Sequence, residues 1–145
     1  MENKLKYTLD DNAPEGQFTK AHDSDAGFDI MAAESFWLPR GASWPVSTGL
    51  HVAIPEGYVG LVKSRSGMAF NKCIEAGAGV IDSGYRGEVK VLLHNLGGLN
   101  LEIKRGDRIA QMLVLPLCEY GTEQVPVGAL PEGERGENGF GSTGA

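Results

Sequence analysis

An all-β protein, a sandwich or jelly-roll barrel with one short helix, is the fold class this sequence predicts, and three observations carry the prediction. Glycine accounts for 21 of 145 residues, about twice the usual ~7 % share, and with 7 Pro it implies many turns. Apolar and polar residues alternate with period two in several short runs. Only Met68 to Glu75 has a pattern that suits a helix, and a short one.

In order along the chain, Leu5, Tyr7 and Leu9 line one face of a first strand. Val46, Thr48, Leu50, Val52 and Ile54 form a second alternating run that ends at the turn signal Pro55-Glu56-Gly57. Tyr58 to Lys63 is expected to return as its hairpin partner. Val89, Val91 and Leu93 alternate again, as do Leu99, Leu101 and Ile103 beyond Gly97-Gly98. Lys104-Arg105-Gly106-Asp107 makes another turn. Ile109 to Leu117 is apolar apart from Gln111, which predicts a strand covered on both faces. The length suits one domain, with residues 1–127 as the β-barrel. Residues 128–145, with Leu130 and Phe140 as their large apolar side chains among glycines, form a flexible tail that cannot bury enough surface to fold alone.

Composition excludes several classes. The net charge of −6 argues against non-specific nucleic-acid binding. No apolar run approaches the ~20 residues that cross a bilayer, and Met1 to Leu9 lack a hydrophobic signal core, so a cytoplasmic protein without membrane contact is expected. Cys73 and Cys118 form no CxxC or Cys/His cluster, which removes a structural zinc site. The charge is unevenly spread. Residues 61–108 hold eight Lys/Arg against five acids, whereas the first 34 residues hold eight acids against three lysines. A basic centre in an acidic chain suits a small anion, and solvated strand faces explain such charges equally.

Four polar groupings interrupt the strand pattern. Lys63-Ser64-Arg65-Ser66-Gly67-Met68-Ala69 leads into the short helix, where unsatisfied N–H groups favour phosphate; an ordinary N-cap at Ser66 is the other reading. Gly77 to Gly87 is the densest cluster. Asp82 follows two apolar residues, a setting for a general base, and Tyr85 offers a flat face and a hydroxyl. A hairpin with Ser83-Gly84 at its tip explains the same residues. Asp29 in Ala26-Gly27-Phe28-Asp29-Ile30 and Gln111 in Gly106-Asp107-Arg108-Ile109-Ala110-Gln111 are isolated polar groups in apolar strands, and satisfied core polar groups look the same. His22, His51 and His94 have no metal-ligand spacing and receive no function.

Taken in order, with Arg135-Gly136-Glu137-Asn138-Gly139-Phe140-Gly141-Ser142-Thr143-Gly144 as a fifth stretch, these segments resemble the five motifs of the trimeric dUTPases. They span residues 26–144, and five in order at compatible spacing are specific. The resemblance implies a jelly-roll-like, distorted β-barrel protomer and a homotrimer with three active sites at subunit interfaces. It implies Mg²⁺-dependent hydrolysis of dUTP to dUMP and pyrophosphate, which limits uracil entry into DNA and supplies dUMP. By the same resemblance Asp82 activates the water and Asp29 helps to orient the catalytic carboxylate. Ser66, Gln111, Arg135, Ser142 and Thr143 match phosphate-chain contacts, Arg65 matches a site arginine with a partly structural role, and Gly67 and Gly141 fall among the substrate-binding positions. Gly79, Val80, Ile81 and Tyr85 fall where the family reads base and sugar, Tyr85 excluding a 2′-hydroxyl, and Phe140 stacks on uracil when the tail closes. Mg²⁺ is then held mainly by substrate phosphates and waters.

Gly84, Asn138 and Ala76 depart from residues common in that family. A related dCTP deaminase, possibly bifunctional, is the nearest enzyme alternative, but it needs a proton-shuttling glutamate in the base pocket, where this chain has Asp82 and places Glu75 outside. A trimeric regulatory protein on the same scaffold is the other alternative, and no long inserted segment between motifs supports it.

Overall fold

A computed structural model describes residues 4–140. The chain forms β1 (Lys6–Leu9), β2 (Phe28–Met31), β3 (Phe36–Leu38), β4 (Ser43–Val46), β5 (Leu50–Ala53) and β6 (Tyr58–Lys63) before its short helix α1 (Ser66–Lys72). Then come β7 (Ile74–Gly77), β8 (Val80–Ile81), β9 (Val91–Asn95), β10 (Leu101–Ile103) and β11 (Arg108–Pro116). Every pairing is antiparallel. The strands form a four-stranded sheet β2-β11-β6-β8, a three-stranded sheet β4-β9-β7, and the pairs β1-β5 and β10-β3. This is the expected all-β, jelly-roll-like architecture. Neighbours in each sheet are distant in sequence, so the sheets close around one core. Ile30, Leu38, Leu50, Ile74, Leu93, Ile103, Ile109 and Met112 are fully buried in it.

Two buried amides tie the crossings together. Gln17 donates from Nε2 to the carbonyls of Met31 and Thr48 at 2.9 and 2.8 Å, and its Oε1 accepts from Met31 N–H at 2.7 Å. Asn95 donates to the Leu38 and Leu99 carbonyls and accepts from Gly97 N–H. Each amide meets its partners in the core, as a buried polar group must.

The structure differs from the sequence expectations at several places. The run from Val46 to Ile54 keeps its alternating burial but is two strands, β4 and β5, in different sheets. The break falls where Glu88 Oε1 accepts from Ser47 hydroxyl and from Thr48 and Gly49 N–H, and Gly49 takes φ +66°. Pro55-Glu56-Gly57 does turn the chain, with Tyr58 N–H donating to Pro55 O at 3.1 Å, but β6 pairs with β11 and β8 and not with β5. The turn is a corner between sheets.

The helix begins two residues earlier than Met68 and stops at Lys72. Cys73 ends it in the left-handed conformation at φ 53°, its N–H returning to Ala69 O, and the residues beyond pair with β9. Ser66 is the first helical residue and no side chain caps the helix, so the N-cap reading does not hold. Tyr7 and Leu9 of β1 are exposed because β1 pairs only with β5 at an edge. The first half of β11 is covered on both faces, with Ile109, Ala110 and Met112 buried, but Leu115 and Leu117 are exposed. Pairing with β2 ends at Met112, after which β6 alone continues.

Candidate active site

The sequence-predicted residues gather in two clefts. The first, about 280 Å³, is lined by Asp25, Gly27, Asp29, Arg65, Ser66, Gly67 and Gln111 among others. Sheet register builds it: Gln111 on the central strand β11 stands opposite Asp29 of β2 on one side and Lys63 of β6 on the other. Gln111 Nε2 donates to Ser64 O at 3.2 Å, fixing the end of β6 where the helix begins. A side chain at position 27 would meet Gln111 Oε1 at 2.7 Å, so the glycine before Phe28 makes room for this amide. Phe28 in turn stacks on Phe18 at 4.7 Å.

Asp29 is only 13 % exposed and ion-pairs with Arg65 Nε at 2.9 Å and Arg108 Nε at 3.5 Å. Arg65 in the lining and Arg108 beside it balance the carboxylates of Asp29 and Asp25, so what the cleft offers a ligand is hydrogen-bond donors, not net positive charge. The first turn of α1 adds N–H groups without intrahelical partners. Such a cleft suits an anion with several oxygens. Arg108 stands in the Gly106–Gln111 stretch, but the sequence assigns it no role. It opens β11 at a register irregularity between Arg108 and Ala110.

The second cleft, about 620 Å³, is lined by Ala78, Val80, Ile81, Asp82, Tyr85, Glu88 and Lys90. Gly79 lies against β6, with Val62 N–H donating to its carbonyl at 2.7 Å; a side chain there would collide with the Val62 carbonyl. β8 pairs with β6, and Ile81 is buried. After it Asp82–Tyr85 closes a tight turn, Tyr85 N–H donating to Asp82 O at 3.1 Å. The turn is not a hairpin tip, because the following strand β9 joins another sheet. Tyr85 is 43 % exposed and its hydroxyl donates to Glu88 O at 2.9 Å. The ring lies so close to Gly87 that a side chain there would strike it. Asp82 itself is exposed.

Glu88 is a further residue that sequence reasoning missed. Desolvation alone would raise its pKa, but hydrogen bonds from Ser47, Gly49 and Thr48, with the charge of Lys90, outweigh it and hold the pKa below the ordinary 4.5. Its signal is the break it causes between β4 and β5, visible only once the chain is folded.

The two clefts share no lining residue, so one protomer brings Asp29, Arg65, Ser66, Gly67 and Gln111 together and keeps Asp82 and Tyr85 apart from them. Arg135 and Phe140 are exposed and line neither cleft. Gly141, Ser142 and Thr143 lie outside the described residues.

Residues 15–144 match the family model of the dUTPases. Deoxyuridine 5′-triphosphate nucleotidohydrolases of Zymomonas mobilis and Candida albicans are 48 % and 43 % identical over 126 and 133 residues, covering 86 % and 91 % of this chain and 85 % and 84 % of theirs. Among solved structures, a variant of the Staphylococcus bacteriophage 80alpha dUTPase with dUpNHpp matches with a TM-score of 0.88 and 30 % identity over 99 % of both chains. A variant of the dUTPase from phage phi11 of S. aureus, whose structure reveals how a structural Mg(II) ion is coordinated, matches with a TM-score of 0.78 and 29 % identity over 85 % of this chain and 97 % of that one.

Proposed function

This chain belongs to the dUTPase family, and on that premise we propose how its own residues hydrolyse dUTP to dUMP and pyrophosphate. Water attacks the α-phosphorus, the bond from that phosphorus to the α,β-bridging oxygen breaks, and pyrophosphate leaves. Asp82 accepts the proton of the attacking water. Ser66, Gly67 and Gln111 hold phosphate oxygens, and Asp29 keeps Arg65 aimed into the same cleft. Tyr85 packs against the deoxyribose, leaving no room for a 2′-hydroxyl, while backbone groups from Gly79 to Ile81 meet the uracil edge. Positioning and charge neutralisation supply most of the catalysis in such a reaction.

The observation that carries this reading is the pair of separate clefts, one lined by Arg65, Ser66, Gly67 and Gln111 and one formed by a ring, a carboxylate and open backbone. Each holds half of a nucleotide's chemistry. We therefore place the complete site between subunits of a closed, symmetric homotrimer, in which a neighbour's Arg65–Gln111 cleft faces Asp82 and lowers its exposure. Leu117, Tyr120, Val125, Val127 and Leu130, all exposed on a segment without strands, support an arm that leaves the protomer for a neighbour. At its end Arg135 meets the phosphates and Phe140 stacks on uracil, with Gly141, Ser142 and Thr143 completing the closure, which excludes water. Ordering so glycine-rich a tail costs conformational entropy, so bound nucleotide drives it. Residues 128–145 thus act as a lid on the barrel domain of residues 1–127.

Mg²⁺ fits a place on the triphosphate better than a protein cage. Among the described residues no three His, Cys, Asp or Glu side chains converge on one point, and Asp29 is engaged by two guanidiniums. Held by phosphate oxygens and waters, such an ion would supply charge neutralisation to the triphosphate. No described helix is long and apolar enough to cross a membrane, and we place the enzyme in the cytoplasm.

Pyrophosphate release from dUTP, UTP, dTTP and dCTP with Mg²⁺ tests the reading. Strong preference for dUTP is expected. Equal turnover of dUTP and UTP contradicts it, and uracil nucleotide formed from dCTP would favour the deaminase alternative.

A further inference from the structure

His51 belongs to no motif, yet its ring on β5 bridges two separate parts of the molecule. Nδ1 lies 3.0 Å from the carbonyl oxygen of Arg86, and Nε2 lies 3.1 Å from Asp10 Oδ2. A carbonyl and a carboxylate only accept, so both ring nitrogens donate, and the bridge is complete when the ring is an imidazolium.

The Arg86 end of this bridge matters because of how the 82–88 turn is held. Its other bonds are mostly internal. Tyr85 N–H donates to Asp82 O, the Arg86 guanidinium donates to Ser83 O and Tyr85 O at 2.7 Å each, and Tyr85 hydroxyl donates to Glu88 O. These fix the shape of the turn but not its place on the barrel. β8 anchors the turn before Asp82. Glu88 on residues 47–49 and Val89 N–H on Leu50 O anchor it afterwards. His51 holds it between these ends, next to Tyr85.

We infer that His51 is a positioning residue for the reaction: by holding the Arg86 carbonyl against β5 and Asp10, it fixes the turn from which Asp82 and Tyr85 enter their cleft. The inference rests on the roles proposed above for those two residues. The charged and titratable groups facing the ring are Lys6, Tyr7 and Asp10 from the β1 side and Arg86 and Glu88 from the turn. The bond to Arg86 O, then the bond to Asp10, raise the pKa of His51 above 6.5; burial opposes them weakly, and the charges of Asp10 and Glu88 add to the rise. When the ring loses a proton, one N–H remains for two acceptors. A carboxylate is the stronger acceptor, so the Arg86 bond is the one released. The turn therefore loses its middle anchor as pH rises through the raised value.

Two substitutions that do not titrate separate the two arms of the bridge. His51→Asn places an amide N–H near the position of Nδ1, toward Arg86, and His51→Gln reaches the position of Nε2, toward Asp10. At pH 6 kcat of His51→Gln should be about tenfold below wild type, with KM little changed, because small displacements at a reacting centre are costly. His51→Asn should stay within about twofold. As pH rises, wild type should fall relative to His51→Asn toward the level of His51→Gln. Hydrogen exchange of the Tyr85 amide should quicken in His51→Gln and not in His51→Asn, with melting curves checking that all variants fold. Wild-type turnover in His51→Gln, or equal impairment of both variants, overturns the inference. Asp82→Asn measured in parallel keeps the two readings apart: if it turns over normally, the role of Asp82 fails, and exchange at Tyr85 still decides whether His51 holds the turn.

Discussion

Asp29 and Asp82 carry the same functional group in opposite surroundings. Asp29 lies in a sheet, 13 % exposed, between Arg65 and Arg108. Asp82 stands exposed at the head of a turn, lining a wide cleft beside Tyr85. The first carboxylate is already engaged by two guanidiniums. The second lies on the wall of an open cleft. Residue type alone does not distinguish these uses; the strand register around Asp29 and the turn after β8 do.

The largest expected effect breaks the comparison at Asp82. Asp82→Asn keeps the shape but removes the proton acceptor, so kcat should fall by roughly 10²-fold or more while a non-hydrolysable dUTP analogue still binds. Asp29→Asn should act differently. The guanidiniums keep a neutral acceptor but lose a charge, so KM should rise and stability to urea should drop by about 1–3 kcal/mol. A stable Asp29→Asn protein with unchanged KM would remove the contrast.

Much of this was legible in the sequence, for physical reasons that differ by element. Alternating burial from Val46 to Ile54 follows from a core on one side, and it survives although the strand is broken at Ser47–Gly49. The choice of partner was not legible. Pro55-Glu56-Gly57 signals a turn, but whether the next strand folds back or crosses to another sheet depends on what lies opposite, and β11 takes β6. Asp29, Arg65, Ser66, Gly67 and Gln111 of the first cleft and Val80, Ile81, Asp82 and Tyr85 of the second were legible through motif resemblance. Arg108, Glu88 and His51 were not, because each acts through partners distant in sequence: Asp29, residues 47–49, and the Asp10–Arg86 pair.

Smaller effects sharpen the contrast at the turn. Tyr85→Ala should narrow the preference for dUTP over UTP by opening space beside the sugar, read as the ratio of kcat/KM values; Tyr85→Phe loses only the bond to Glu88 O, about 1 kcal/mol. Glu88 makes the smallest contribution and an acid-sensitive one. Its folded pKa is depressed below 4.5, so its stabilisation is present above that value and is lost as pH falls through the folded pKa. Glu88→Gln should flatten the loss of thermal stability below about pH 4.5 and leave neutral pH behaviour to the remaining bonds of the turn.

The central claim, that one site joins the Asp82 cleft of one subunit to the Arg65–Gln111 cleft of another, is tested most directly by mixing two inactive proteins. One carries Asp82→Asn, the other Ser66→Ala with Gln111→Ala, and the two are unfolded together and reassembled in equal amounts. Random closed trimers would pair an intact turn with an intact Arg65–Gln111 cleft at about a quarter of their sites. The account predicts dUTP turnover near that fraction of wild type. Mixed trimers as inactive as their parents would show that a single chain supplies both halves and would contradict it.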